Sequence, residues 1–136
     1  MTFSIIDTGL TGAGFSRYWM ENIAHNIANV NTVRGGDEEP FRARMVEARA
    51  LGTRDSDEGL GVAVSDVRDA EGDAPLVFDP NHPLADEAGY VKAPLVDLAG
   101  ELTNLIQAQR SYQVSLKVIQ SGEEAYQSAL RIGSGR

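Results

Sequence analysis

The groups best suited to chemistry in this 136-residue chain are two histidines and a scatter of carboxylates. His82 sits in Asp79-Pro80-Asn81-His82-Pro83, with Asp86 and Glu87 close behind. Asp79, His82 and Asp86 are residue types that ligate divalent metals, and such a set would make a small metal-dependent enzyme. Hard-metal loops usually bring more oxygen ligands and a glycine at the turn. The favoured reading is a proline-braced turn whose aspartate caps its own backbone. His25 falls in the middle of a helical pattern, off its apolar stripe, and reads as a surface or interface residue. There is no Gly-x-Ser-x-Gly, no cysteine, and no third group arranged around either histidine. Gly9-Leu10-Thr11-Gly12-Ala13-Gly14 has the glycines of a phosphate loop. It lacks the Gly-Lys-Ser/Thr ending and a preceding strand. No catalytic residue, cofactor or metal is expected, and the chain does not read as an enzyme.

Composition narrows the choice further. Twelve basic residues against twenty acidic ones give a net charge of −8. That balance argues against non-specific binding to nucleic acid or anionic lipid, which needs clustered Lys and Arg. Arg42, Arg44 and Arg49 form a modest basic stripe better suited to an acidic partner. Zero cysteines exclude disulfides and thiolate metal sites and leave the compartment open. The length matches about one domain. No apolar run approaches the ~20 residues of a membrane-spanning helix. The start, Met1-Thr2-Phe3-Ser4-Ile5-Ile6-Asp7, lacks the features of a signal peptide. The expectation is a cytoplasmic chain, or one exported without cleavage.

Three segments must position these groups. From Ser4 to Asn31, apolar residues at Ile6, Leu10, Ala13, Met20, Ile23, Ile27 and Val30 step by 4, 3 and 7. This is a heptad pattern. Gly9, Gly12 and Gly14 weaken its first half by up to ~1 kcal/mol each. A helix is therefore expected over Phe15–Asn31, with the earlier turns helical only when packed. The middle, about Val33 to Pro94, holds all five prolines. Phe41–Val46, Leu60–Val64 with Val67, Leu76–Phe78 and Gly89–Val91 read as strands. Turns fall at Gly52–Gly59, Glu71–Asp73 and Asp79–Pro83. From Leu98 a 4,3 walk gives Leu98, Leu102, Leu105, Gln109, Tyr112, Leu116, Ile119, Glu123, Tyr126 and Leu130. A helix over Leu95–Ile132, started by Pro94 and ended by Gly133-Ser134-Gly135, would be ~57 Å long. Its narrow stripe reads as a coiled-coil seam. The fold class is α+β. Residues 1–33 and 95–136 form a coiled-coil-like helical hairpin, and residues 34–94 a β-rich insert.

One feature fits neither core nor catalysis. Asn26, Asn29 and Asn31 fall within six residues, although Asn is a poor helix former. Amides at helix seams fix register and partner, and Asn29 and Asn31 can cap a helix end. Ala24-His25-Asn26-Ile27-Ala28-Asn29-Val30-Asn31-Thr32 resembles the A-N-N-I-A-N-x-N-T signature of the rod and hook axial proteins of the bacterial flagellum. Val77 to Val91 resembles the Y-D-P-x-H-P-x-A-D-x-x-G-Y-V block of that family's proximal-rod branch. The matching positions include Asp79, Pro80, His82, Pro83, Asp86, Gly89 and Tyr90. Leu105-Ile106-Gln107-Ala108-Gln109-Arg110-Ser111-Tyr112 resembles its C-terminal I-x-A-x-R-x-Y. The matches run in order from end to end. His25, Leu84, Leu95, Ser115 and Glu123-Glu124 depart from the usual residues.

The resemblance implies a structural subunit of the flagellar basal-body rod, exported uncleaved by the flagellar type III apparatus. Its terminal helices would pair into an inner coiled-coil layer of a periplasm-spanning rod, with the middle segment outward. Implied partners are copies of itself in a helical homo-oligomer, FlgB, FlgF, the distal rod and the ring adaptor FliE. Nucleic acid and direct membrane insertion are not expected. The assembly residues would be Ile23, Asn26, Ile27, Asn29, Val30, Asn31, Leu98, Leu102, Leu105, Tyr112, Leu116, Ile119, Tyr126 and Leu130. The competing reading is a soluble coiled-coil adaptor with a β-rich binding head. Glycine-weakened ends should order on assembly.

Overall fold

The computed structural model describes residues 2–36, 38–52 and 59–135. Its elements are α1 (Thr2–Ala28), β1 (Arg44–Leu51), β2 (Gly61–Asp69), β3 (Leu76–Phe78), β4 (Tyr90–Lys92) and α2 (Leu98–Gly133). Two long helices thus bracket two small two-stranded sheets, β1-β2 and β3-β4. The class is α+β.

Helix α1 starts well before Phe15 and runs unbroken through Gly9, Gly12 and Gly14. Contact explains this where propensity does not. A Cβ added at Gly9 would stand 2.7 Å from Ile119 Cγ1, and one at Gly12 would stand 2.7 Å from Ser115 Oγ. The glycines let α2 come close, so these turns are helical because they are packed. The helix stops at Ala28, three residues short of the expected Asn31. Asn29 Nδ2 donates to the His25 carbonyl at 2.8 Å, and Thr32 Oγ1 donates to Asn29 Oδ1 at 3.2 Å. The asparagine therefore caps the end instead of extending it.

Helix α2 starts at Leu98 rather than Leu95. Leu95 is held by the chain before β1: its N–H donates to the Phe41 carbonyl at 2.8 Å and its carbonyl accepts from Ala43 N–H at 3.1 Å. Asp97 takes the N-cap, with Oδ1 accepting from Ala99 N–H at 3.1 Å. From there α2 is continuous through Gly122. At 36 residues it is ~54 Å long.

The strands lie close to the expected segments. β1 begins three residues after Phe41, because Phe41 and Ala43 bond to Leu95. β2 continues through Ser65 and Asp66, whose side chains are exposed. β3 and β4 are antiparallel, with Leu76, Val77 and Phe78 opposite Lys92, Val91 and Tyr90. Gly72, at φ 126°, makes the bend between β2 and β3. The expected turn at Gly52–Gly59 falls mostly on residues 53–58, outside the described residues.

The chain divides into two compact units. One contains Met1–Met20, Glu47–Asp66 and Ile106–Arg136; the other contains Glu21–Val46 and Val67–Leu105. In the first, Ala13 and Ala108 are buried. In the second, Ile23, Ala43 and Val91 are the buried apolar residues.

Candidate assembly interface

Within the first unit α1 and α2 meet through small side chains. A Cβ at Gly122 would stand 2.9 Å from Ile6 Cγ1. Gly9 faces Ile119 and Gly12 faces Ser115. Ser16 is wholly buried; its Oγ lies 2.9 Å from Ser111 Oγ, the two sharing a hydrogen bond, and 2.9 Å from the Gly12 carbonyl. As one helix index rises the other falls, so the helices run antiparallel here. Thr11 adds a side link: its Oγ1 accepts from Val62 N–H at 3.1 Å at the start of β2.

The α2 positions that turn inward are Glu101, Leu105, Ala108, Tyr112, Ser115, Ile119 and Gly122. They too follow a 4,3 walk. Leu105, Tyr112 and Ile119 belong to both this face and the row read from the sequence. The other half of that row points away: Leu98 is 41% exposed, Leu102 47%, Leu116 39% and Leu130 54%, while Tyr126, one heptad beyond Ile119, is 41% exposed. Ile106, Val114, Val118 and Ile132 are exposed as well. Small and polar residues complete the inner face, leaving large apolar ones outside.

In the second unit Asn26 is a three-way joint. Its side chain is fully buried. Its Oδ1 accepts from Arg44 N–H at 2.8 Å and its Nδ2 donates to the Arg44 carbonyl at 2.9 Å. The amide thus pairs with β1 as a neighbouring strand would. Nδ2 also donates to Glu101 Oε1 at 3.0 Å. One amide therefore ties α1 to the first residue of β1 and to the first turn of α2. Burial pushes the Glu101 carboxyl above its ordinary range; the Asn26 bond works against that shift and nearby Asp97 adds to it.

Of the remaining candidate residues, Ile23 is buried, Ile27, Asn29 and Val30 are half-buried, and Asn31 is exposed. His25 is exposed and its ring lies 5.5 Å from that of Phe41. Arg42 is occupied, since its Nη1 donates to the carbonyls of Ala70 and Gly72 at 3.0 and 2.9 Å. Arg44 and Arg49 are exposed.

The motif turn is built for shape. Asp86 Oδ1 accepts from Ala88 and Tyr90 N–H at 2.9 and 2.8 Å. His82 Nδ1 accepts from Leu84 N–H at 3.1 Å. Asp79 N–H donates to the Gly89 carbonyl at 2.9 Å. Gly89 is buried at φ 83°, and a Cβ there would stand 2.9 Å from Phe78 Cε2 and 3.1 Å from Pro80 Cβ. The Phe78 and Tyr90 rings meet edge to face at 5.2 Å. Among the described residues no three His, Asp or Glu side chains gather as a metal set. No described helix is long and apolar enough to cross a membrane.

The seam residues Gly9, Gly12, Ser16, Ser111 and Ala108, and the Asn26 partner Glu101, were not among the sequence candidates. A signal existed: Glu101, Ala108, Ser115 and Gly122 recur every seven residues. The repeat is of small and polar residues, so it leaves no trace in the apolar pattern.

Side chains that serve backbone geometry and apolar rows that face outward define a structural subunit. Comparison with known proteins agrees. Residues 87–132 match the family model for the flagellar basal body rod FlgEFG protein C-terminal segment. Flagellar basal-body rod protein FlgC of Escherichia coli is 38% identical over 110 residues, 81% of each chain. FlgC of Borreliella burgdorferi is 33% identical over 149 aligned positions, 98% of each chain. FlgC of Bacillus subtilis is 29% identical, covering 96% of this chain and 97% of the relative. The chain belongs to the FlgC family of flagellar basal-body rod proteins. It is a structural protein, not an enzyme.

Proposed function

We propose that this chain is a subunit of the proximal rod, polymerising through its terminal helices into the shaft that transmits torque for motility. The observation carrying this is the outward apolar row of α2. Leu98, Leu102, Leu116 and Leu130 stay at least 39% exposed, while the α1–α2 contacts of the first unit have a glycine or serine on at least one side. Apolar area buried between subunits stabilises at ~25 cal/mol per Å². Heterologous contacts with open helical symmetry give a filament.

In this reading residues 1–33 and 95–136 form a coiled-coil core on the inside of the rod, and residues 34–94 face outward. Neighbours are other copies, FlgB, FlgF, the distal rod and the adaptor FliE. The chain reaches the periplasm through the flagellar type III apparatus without signal cleavage. Ile27, Asn29, Val30 and Asn31, at the α1 end, and the Asp79–Tyr90 turn add to the contact surface. Leu102→Asp and Leu130→Asp test it. Both sites are exposed, so the chain should fold and be exported, yet motility and rod assembly should be lost. Normal motility in both variants would overturn the proposal.

A further inference from the structure

The two edges of the β3–β4 sheet are finished differently. On β4 the backbone groups that face away from β3 are taken. Lys92 N–H donates to the Arg34 carbonyl and the Lys92 carbonyl accepts from Arg34 N–H, both at 3.0 Å. The Tyr90 carbonyl accepts from Asp86 N–H at 2.9 Å, and Tyr90 N–H donates to Asp86 Oδ1 at 2.8 Å. On β3 the Pro75 carbonyl accepts from Ala93 N–H and Asp79 N–H donates to the Gly89 carbonyl. In the register of the pair these bonds turn the N–H and carbonyl groups of Leu76 and Phe78 away from β4. Among the described residues nothing meets them. Pro80, the next position facing that way, has no N–H, so the open edge ends at Phe78.

The side chains beside this edge are open as well. Leu76 is 63% and Phe78 62% exposed, on the face that carries Tyr90, while Val91 on the other face is buried. Sheets usually cover an apolar edge or guard it with charge. A docked helix has used its own backbone groups internally and cannot satisfy alternating N–H and carbonyl groups. An added strand can, and its alternate side chains would rest beside Leu76 and Phe78.

Charge narrows the strand further. From Glu71 to Val91 the chain holds Glu71, Asp73, Asp79, Asp86 and Glu87 and no Lys or Arg. Lys92, opposite Leu76, carries its ammonium to the Glu38 carbonyl at 3.2 Å. Asp73 and Asp79 flank β3 on either side. Pairing β3 with the β3 of a second copy would set these carboxylates against one another. A strand with Lys or Arg at its ends meets them favourably.

We infer that β3 is a docking edge for an extended apolar strand with basic flanks, supplied by a partner protein, which becomes the third strand of the β3–β4 sheet. The contact is separate from the outward row of α2 and adds a second kind of surface to the chain.

The probe is a blocked peptide, Lys-Val-Thr-Val-Thr-Val-Lys, added to the full chain at millimolar concentration and followed by amide hydrogen exchange and NMR shifts. The Leu76 and Phe78 amides should exchange roughly tenfold more slowly with peptide present, while the Arg34 and Lys92 amides, already bonded, change little. The same peptide with Glu at both ends should bind at least tenfold more weakly. A version N-methylated at every residue keeps the charges and side chains but cannot donate, and should not protect either amide. Phe78→Pro removes one outward N–H and should weaken binding; retained protection at Arg34 and Lys92 shows that the sheet persists. Leu102→Asp and Leu130→Asp should bind the peptide as the unmodified chain does, which separates this result from the polymerisation reading. Absence of protection with the Lys-flanked peptide, or equal binding of the Glu-flanked or N-methylated one, would overturn the inference. So would protection of Leu76 and Phe78 that appears on concentrating the chain alone, because a second copy would then cover the edge.

Discussion

Replacing Asn26 with alanine removes three hydrogen bonds at once, two to the Arg44 backbone and one to Glu101. A neutral bond contributes about 1 kcal/mol net and one to a carboxylate about 2 kcal/mol. The expected loss is therefore about 4 kcal/mol, against a typical total of 5–15 kcal/mol for a domain. Asn26→Asp refines the test. It keeps the acceptor for Arg44 N–H but sets a carboxylate oxygen against the Arg44 carbonyl and the Glu101 carboxylate. It should cost at least as much as alanine. Glu101→Gln supplies a donor across that gap and should recover part of the loss, so the two changes are coupled by about 1 kcal/mol or more. Urea unfolding of the monomer, followed by circular dichroism, reads all four corners of this cycle. A cost below about 1 kcal/mol for Asn26→Ala would show that the joint does not hold the second unit together.

Other outcomes follow from the same geometry. Because burial raises the Glu101 pKa in the folded chain, its contribution to stability is full below the ordinary carboxylate range and is lost as pH rises through the raised value. Unfolding measured across the acid range should show that slope, and Glu101→Gln should flatten it. Gly9→Ala should destabilise the monomer by about 1–3 kcal/mol through contact with Ile119 and Ser115. Gly14→Ala should instead stabilise it by up to ~1 kcal/mol, and thermal melts of the pair compare the two signs. Gly89→Ala should cost about 1–3 kcal/mol, because φ 83° and the close Phe78 ring both oppose a side chain.

The sequence and the structure agree where one principle governs the outcome. Long periodicity located both helices, and alternation with turn residues located the strands. The α2 start shifted because Leu95 bonds to Phe41 and Ala43, a pairing that no local pattern reveals. The glycine-bearing turns of α1 follow packing over propensity. The α2 row was half legible: Leu105, Tyr112 and Ile119 turn inward as the heptad suggests. The partner positions on that face are Ala108, Ser115 and Gly122; Gly122 is small because Ile6 of α1 stands opposite, and Ser115 lies opposite Gly12. Asn26 stood out by composition, but the bonds that explain it come from Arg44 and Glu101, eighteen and seventy-five residues away.

A seam of glycine, alanine and serine has a calorimetric consequence. The heat capacity increment of unfolding tracks newly wetted apolar surface. Gly9, Gly12, Ser16 and Gly122 supply one side of the contacts between the helices, so parting them wets less of it than parting paired leucines would. The isolated chain should therefore melt with a low increment and a shallow stability curve. Burial of Leu98, Leu102, Leu116 and Leu130 between copies should give a strongly negative heat capacity change. The thermal signature that most globular proteins show on folding would, in this one, accompany the joining of subunits.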